Sequence, residues 1–492
     1  MSISFSNYDP TNRVPGVWAE LDPSGANTAQ ENFRTLVIGQ GQTGKVAAGL
    51  SGVPVISNGL ADAQARYGAR SPLALMTDLI RQNDPAGELW YLPLADAAGA
   101  AAATATIAFT GTATAAATMA LYVGGTRVEV PVSSGDTAAV IATNAAADIN
   151  AALAPVTAVA ASGTVTLTAT GAGSWGNDLP VMLNFGDVLA GESMPAGVAV
   201  TVTAMAGGTG VPVLPAALAN LGDTTFDVII CPFNDATSLN ALRDFLNDVS
   251  GRWSWQNMLF GGAFTAFPGT LAQRVAFGLA RNDQHGSGIG VFGSPSPTWL
   301  WAAAYGAACA NSLRSDPALP LQNISLQGLY APAPVNRDAP SARNSLLYDG
   351  VSTFKVSTDG TVILERAVTF YQKNAAGVAD DAYLDVETPY TLAALIRDMR
   401  GYLATKFARV KLVADDTLIA GGSNMVTSQT VLAAAVARYR TYCDRGLAQN
   451  FDTFRATARG ENAGNGNVSL LLPFDVANQL RSIAIKVNFL KS

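Results

Sequence analysis

The chain has little of what active-site chemistry usually draws on. Of its 492 residues one is histidine and three are cysteine. A lone imidazole, His285, has no second one to share a metal with, and the G-x-S-x-G elbow that would set a serine nucleophile does not occur. Cys231, Cys309 and Cys443 are odd in number and far apart, so they suit neither a disulfide framework nor a metal knuckle and read as buried free thiols. Charge is scarce: 14% of residues are Asp, Glu, Lys or Arg, with a net charge of −7, and no lysine occurs between Lys45 and Lys355. That balance, without any basic cluster interleaved with aromatics, argues against nucleic acid as a partner. Nothing approaches the ~18 uninterrupted apolar residues of a membrane span, and the opening MSISFSNYDP lacks the basic-then-apolar order of a secretion signal. The expectation is a protein kept in a reducing cytoplasm until it assembles, with no membrane insertion, metal or cofactor.

What the chain has in quantity is apolar residues, 49% of the total. At this length about three domains are expected. With so little charge, the composition predicts surface hidden against other subunits, the plainer alternative being a merely Ala/Gly-rich protein. Residues 1–24 are polar and broken by Pro10, Pro15 and Pro23, yet Val17, Ala19 and Leu21 alternate with Trp18 and Glu20. Such a lone strand must be completed by the core or by another molecule.

The apolar run Phe33–Ile38 reads as a strand and leads into Gly39-Gln-Gly-Gln-Thr-Gly-Lys45. This heptapeptide satisfies G-x-G-x-x-G and, up to Lys45, G-x-x-x-x-G-K, so dinucleotide and P-loop readings both arise. A P-loop needs Ser or Thr next to hold Mg2+, and Val46 has no oxygen. Both motifs also need a helix to begin at the loop, whose free N–H groups and dipole bind the phosphate. Gly49, Gly52 and Pro54 allow no more than a turn. A structural glycine turn is expected, with a nucleotide-binding α/β enzyme as the competing function. Two helices split at Ser71-Pro72 and a buried strand at Leu89–Leu92 complete an α/β start.

Composition shifts near Ala98. From Gly99 to Gly207 the chain is mostly Ala, Thr, Gly and Val, with alternating runs at 104–109, 119–123, 126–132, 156–160, 164–170, 181–185 and 198–205 and helical spacing only over 137–153. This predicts an inserted β-rich domain bracketed by glycine-rich joints. The α/β pattern then resumes with a strand at Phe226–Cys231, a helix at Ser238–Ser250, a strand at Met258–Phe260 and an apolar helix at Trp299–Leu313, implying parallel pairing. His285 falls in Asn282–Gly288, which reads as a flexible stretch.

Two alternating runs, Val351–Ser357 and Thr361–Tyr371, flank Asp359-Gly360, a dipeptide suited to a two-residue type I′ turn. The second run is apolar on both faces, as a central strand would be. Thr388-Pro389 signals a helix start, followed by Leu392, Leu395, Ile396, Met399 and Leu403 at helical spacing. The acidic run Asp380, Asp381, Asp385 and Glu387 lacks Ca2+-loop spacing and reads as a solvent-facing loop. A further helix is predicted over Gln429–Arg445, capped by Thr427-Ser428 and ended by Gly446. Residues 389–460 carry ten Lys or Arg against five Asp, a balance of +5, so Arg438, Arg440 and Arg445 are candidates to meet an acidic partner, a solvated basic face being the alternative. Finally Ile483, Ile485, Val487 and Phe489 alternate with Ala484, Lys486 and Asn488, a second solitary strand at the other end of the chain.

The runs RNSLLYDGVSTFKV, ILERAVTFYQKNAAGVAD and LDVETPYTL, between Arg343 and Leu392, resemble the core of contractile tail sheath proteins of the Mu-like phage type. Shorter matches are GELWYLPL from Gly87, SPSP from Ser294, WAAAY from Trp301, DPALPL from Asp316 and VANQLR ending at Arg481. None is a catalytic motif. The resemblance implies a multidomain, mixed α/β (α+β) chain: an N-terminal arm (1–24), a discontinuous α/β sheath domain (25–98 and 208–335), an inserted β-rich domain on the outer face (99–207), a C-terminal core sheath domain (336–477) and a C-terminal arm strand (478–492). It implies a non-enzymatic virion subunit, assembled in the host cytoplasm into a helical homo-oligomer around a tail tube, with baseplate and tail terminator proteins as further partners. Val17, Ala19, Leu21, Ile483, Ile485, Val487 and Phe489 would lie on strands exchanged with neighbours. A secreted β-rich surface-array protein is a third reading, disfavoured by the missing signal peptide.

Overall fold

The computed structural model describes residues 33–187, 190–419 and 424–490. These form two compact units, one of 33–393 with 476–490 and one of 394–475. The fold is mixed α/β.

The first unit opens with β1 (Arg34–Gln40), buried from Thr35 onward as a parallel strand covered on both faces must be. After β2 (Val55–Ile56) come α1 (Leu60–Tyr67) and α2 (Pro72–Asn83), split where expected. Ser71 caps α2 by accepting the Ala74 N–H at 3.1 Å, with Pro72 in the first turn. β3 (Glu88–Leu94) pairs parallel with β1 along its whole length and antiparallel with β2.

The insertion follows its alternation closely. Its elements are β4 (Thr104–Gly111), β5 (Ala117–Val123), β6 (Thr126–Val132), α3 (Ala138–Ala151), β7 (Val156–Ala161), β8 (Thr164–Ala169), β9 (Val181–Leu183) and β10 (Val198–Val202). They make two antiparallel sheets, in the orders β10-β4-β8-β7 and β6-β5-β9. The β5–β6 and β7–β8 hairpins turn on Gly124-Gly125 and Ser162-Gly163, with positive φ at both central residues of each.

Next come α4 (Leu214–Ala219), β11 (Val228–Ile230), α5 (Ala236–Leu246), β12 (Gly262–Pro268), α6 (Leu271–Leu279), β13 (Gly286–Val291) and α7 (Thr298–Ser315). Together with β1–β3 the strands form a six-stranded sheet, β13-β12-β11-β1-β3-β2, parallel except for β2. The predicted strand at Met258–Phe260 is not one. Met258 has φ +50°, and the Met258 and Leu259 N–H groups bond back to Ser254 and Arg252 within a local turn, so the strand starts at Gly262. Nor is Asn282–Gly288 a bare loop: Asn282 accepts the Gln372 and Lys373 N–H groups, and Gly286 begins β13. The glycines of that strand exist because neighbours press on it: a Cβ at Gly288 would lie 2.6 Å from Phe370 Cζ, and one at Gly290 2.6 Å from Arg274 Cδ. α7 is buried on all sides from Thr298 to Ala310. It carries Tyr305 against Phe264 of the sheet (5.3 Å) and Trp299 edge-on to Trp175 of the insertion (6.1 Å).

β14 (Ile324–Ser325), α8 (Pro340–Tyr348), β15 (Thr353–Val356), β16 (Val362–Arg366) and α9 (Glu387–Lys406) follow. β16 is the central strand of a β14-β16-β15 sheet, as its two apolar faces predict. Its hairpin turn differs from expectation. Val356 pairs with Val362, only Gly360 has positive φ, and the Gly360 N–H bonds Ser357 O, so the turn is a type I turn with a following left-handed glycine. Asp359 uses its carboxylate to accept from the Ser357 hydroxyl and the Thr361 N–H. α9 begins at Glu387, so Thr388 is inside the helix rather than its cap.

The second unit continues α9 and adds β17 (Lys411–Leu412), β18 (Met425–Val426), α10 (Ser428–Asp444), α11 (Phe451–Thr457), β19 (Arg459–Gly464) and β20 (Asn467–Leu471). Thr427 and Thr430 form a capping box for α10, and Gly446 ends it with φ +73°. Tyr439 is the centre of its core, stacked on Phe454 at 3.6 Å and flanked by Phe474 and Tyr442. β19 and β20 form an exposed hairpin that pairs with no other strand among the described residues.

Candidate functional site

The glycine loop sits where α/β sheets usually bind ligands, at the carboxyl end of β1 beside β11, where the strand order reverses. Here that place is filled. The N–H groups of Gly41, Gln42 and Thr43 donate to Leu94 O, Tyr67 O and Thr170 O, and Gln40 Nε2 donates to Ala172 O at 3.0 Å. No helix starts until Leu60 and Lys45 is exposed, so the loop has neither the dipole nor the free donors of a phosphate cradle.

His285 is buried. Its Nε2 lies 2.7 Å from Asp248 Oδ1 and its ring stacks on Trp253 at 4.0 Å. It borders a cavity of about 50 Å³ between α5 and the sheet, lined also by Leu239, Leu242, Cys231 and the Arg281–Asp283 ion pair. Burial pushes the Cys231 thiol up to about 12, which leaves it inert as a nucleophile. Among the described residues no group of three His, Cys, Asp or Glu is placed to hold a metal.

The acidic run divides. Asp380 stays at the surface, accepting from the Tyr371 hydroxyl at 2.7 Å. Asp385 and Glu387 do not face solvent as the sequence suggests. Asp385 is paired with Arg366 through two hydrogen bonds of 2.8 and 3.0 Å, and Glu387, the first residue of α9, is fully buried. Their remaining partner comes from the end of the chain: Arg481 Nη2 lies 2.9 Å from Asp385 Oδ1 and 2.9 Å from Glu387 Oε1. Glu387 also accepts the Leu321 N–H. Burial raises its pKa above the ordinary carboxyl value, with Arg481 pulling the other way. Gln322 Nε2 completes the cluster by donating to Leu480 O at 3.0 Å.

Beyond Arg481 the situation reverses. Ile483, Ile485, Val487 and Phe489 are 74%, 82%, 81% and 85% exposed and form no strand within the subunit. The alternation that predicted a covered face therefore has no cover here. Val17, Ala19 and Leu21 lie outside the described residues.

Of the basic candidates, Arg438 is committed internally: it clamps Asp398 at 2.7 and 2.5 Å, and the Tyr442 hydroxyl donates to the same carboxylate. Burial opposes ionisation of Asp398, but these bonds hold its pKa below the ordinary value. Arg440 and Arg445 are exposed, Arg440 lying over the Phe451 ring at 4.8 Å.

The chain is similar to known proteins along its whole length. A profile of the phage tail sheath protein central domain matches residues 207–370. The Mu-like prophage FluMu tail sheath protein of Haemophilus influenzae is 35% identical over 496 aligned residues, covering 100% of both chains. Among solved structures, a sheath tail protein of Desulfitobacterium hafniense aligns with TM-score 0.48 and 13% identity, covering 94% of this chain and 97% of that one. The contracted helical sheath of the anti-feeding prophage aligns with TM-score 0.47 and 12% identity, covering 98% and 100%.

Proposed function

The chain belongs to the phage tail sheath protein family, and from that premise we propose that it polymerises helically around a tail tube and contracts to drive the tube through a host envelope. Its work is mechanical, with no catalytic site and no cofactor. Head-to-tail contacts that do not close build a helix rather than a ring. Strand addition between neighbours keeps subunits tethered while their rigid bodies rotate. Free energy stored in the extended lattice is released on contraction.

The observation that carries this reading is the exposed alternating segment after Arg481, an apolar face left uncovered by the described residues of its own subunit and suited to a neighbour's sheet edge. The unpaired hairpin β19–β20 offers edges of the kind such a strand joins. In this reading the arm residues are Val17, Ala19, Leu21, Ile483, Ile485, Val487 and Phe489, and the segments 25–98 with 208–335, 99–207 and 336–477 are its domains, 99–207 facing outward. Arg440 and Arg445 are left to meet an acidic tube surface, and baseplate and terminator proteins bound the polymer. The protein is then a component of the phage tail, assembled in the host cytoplasm. Negative-stain microscopy of the purified protein tests this: hollow striated cylinders are expected, and a permanently monomeric protein that binds nucleotide would overturn it.

A further inference from the structure

We propose that Arg481 is a charge clamp dividing the C-terminal segment into a root fixed to the subunit body and an alternating strand, beginning at Ser482, that leaves for a second copy of this chain. The identity of the partner rests on the strand-exchange reading; the clamp does not.

Two guanidinium groups, Arg366 and Arg481, face two carboxylates, Asp385 and Glu387, so the cluster is neutral only while the chain end is in place. Glu387 depends on it most. Its Oε1 meets Arg481 and the Leu321 N–H, its Oε2 has no hydrogen-bond partner, and the other ionisable groups acting on it are Asp385 and the buried Tyr305 and Cys309 of α7. None of these is a cation, and a buried carboxylate stripped of its cation is strongly unfavourable. The root is thus part of the body's electrostatics. From two residues later, at Ile483, the chain carries apolar side chains that are mostly in solvent. From Arg481 to Phe489, the last residue of the alternating face, eight extended residues span at most about 28 Å, so the edge that covers this face must stay within about that distance of the clamp in every lattice state that keeps the arm engaged.

The test uses the full chain with 482–492 replaced by an equal length of Gly/Ser, together with Arg481→Ala, Arg481→Lys, Glu387→Gln and the Arg481→Ala/Glu387→Gln double variant. The Gly/Ser tail should melt within about 1 °C of the parent yet build no cylinders. Arg481→Ala should melt about 3–6 °C lower at pH 8, and less so at pH 5. The sign follows from Glu387: its raised pKa costs stability as pH rises through the window above the ordinary value, and losing Arg481 widens that window. Arg481→Lys should fall between parent and Ala, and Glu387→Gln should relieve most of the Arg481→Ala loss. Equal melting of Arg481→Ala and parent, a loss independent of pH, or no relief by Glu387→Gln would overturn the clamp. Cylinders built by the Gly/Ser-tailed chain would instead remove the exchanged strand and leave the melting test of the clamp standing.

Discussion

The insertion at 99–207 and the segment at 476–490 both leave the α/β body, and each takes part in a glutamate–arginine pair, Glu192 with Arg127 inside the insertion and Glu387 of α9 with Arg481 of the segment, yet they are bound to the body in opposite ways. The insertion returns. Trp175 meets Trp299, a Cβ on Gly125 would lie 2.8 Å from Leu300, the Tyr122 ring meets Tyr330 at 5.3 Å, and Thr170 both accepts the Thr43 N–H and donates to Arg70 O. Its own Glu192 is buried with Arg127 Nε at 2.7 Å, the Tyr122 hydroxyl at 2.7 Å and the Gly186 N–H at 2.9 Å. Burial opposes the charge there, but these three donors lower the Glu192 pKa below its ordinary value. Glu387 has one cation, supplied from 94 residues away, and its pKa is raised. A segment with its own sheets is thus packed into the body at several places, while one with no strand or helix of its own is held at Leu480 and Arg481.

The comparison breaks most visibly if residues 100–206 are exchanged for a short Gly/Ser linker. Uncovering Trp299, Leu300 and the end of β1 should abolish cooperative folding, seen as lost solubility and no melting transition. A remainder that folds and assembles would make the insertion autonomous. Next in size, Trp175→Ala should cost about 3–5 kcal/mol in denaturant unfolding, whereas Phe489→Ala, exposed in the isolated subunit, should stay within about 0.5 kcal/mol and weaken only polymer formation.

The two glutamates sharpen it through pH. The depressed pKa of Glu192 contributes stability present above the ordinary carboxyl value of about 4.3 and lost as pH falls through the folded value. The raised pKa of Glu387 contributes in the reverse sense, most below that ordinary value and less as pH rises. The advantage of the parent over Glu192→Gln should therefore grow from pH 3 to 7, while its advantage over Glu387→Gln declines, both read from melting curves. Smallest in stability is Arg440→Glu with Arg445→Glu: no change in melting, but poorer co-assembly with tube protein. Arg438 is left intact because it neutralises Asp398 inside the fold.

What could be read ahead followed from local periodicity. Alternation placed the insertion's strands within a few residues because most of them, β4, β6, β7 and β8 among them, have one face more buried than the other, and capping residues placed α2 and α10. β13 escaped because Gly286-Ser-Gly-Ile-Gly-Val291 shows no side-chain pattern; its glycines answer to Phe370 and Arg274, remote in the chain. Asp359-Gly360 suited a two-residue turn, but the pairing of Val356 with Val362 set a longer loop. Arg481 was visible only as the last residue of VANQLR, a run that marks the family resemblance and says nothing of a partner.

The sequence by itself determined most of the elements, the strands of the insertion, the lack of a complete phosphate motif and the alternating apolar segment after Arg481, because these depend on spacings of a few residues and on composition. Only the tertiary structure decided that the insertion seals the crevice beside β1, that Arg438 is spent on Asp398, and that Arg481 neutralises Glu387. Those facts depend on which distant groups share a desolvated space, where a single unpaired charge outweighs any local preference, and spacing along the chain does not encode that distance.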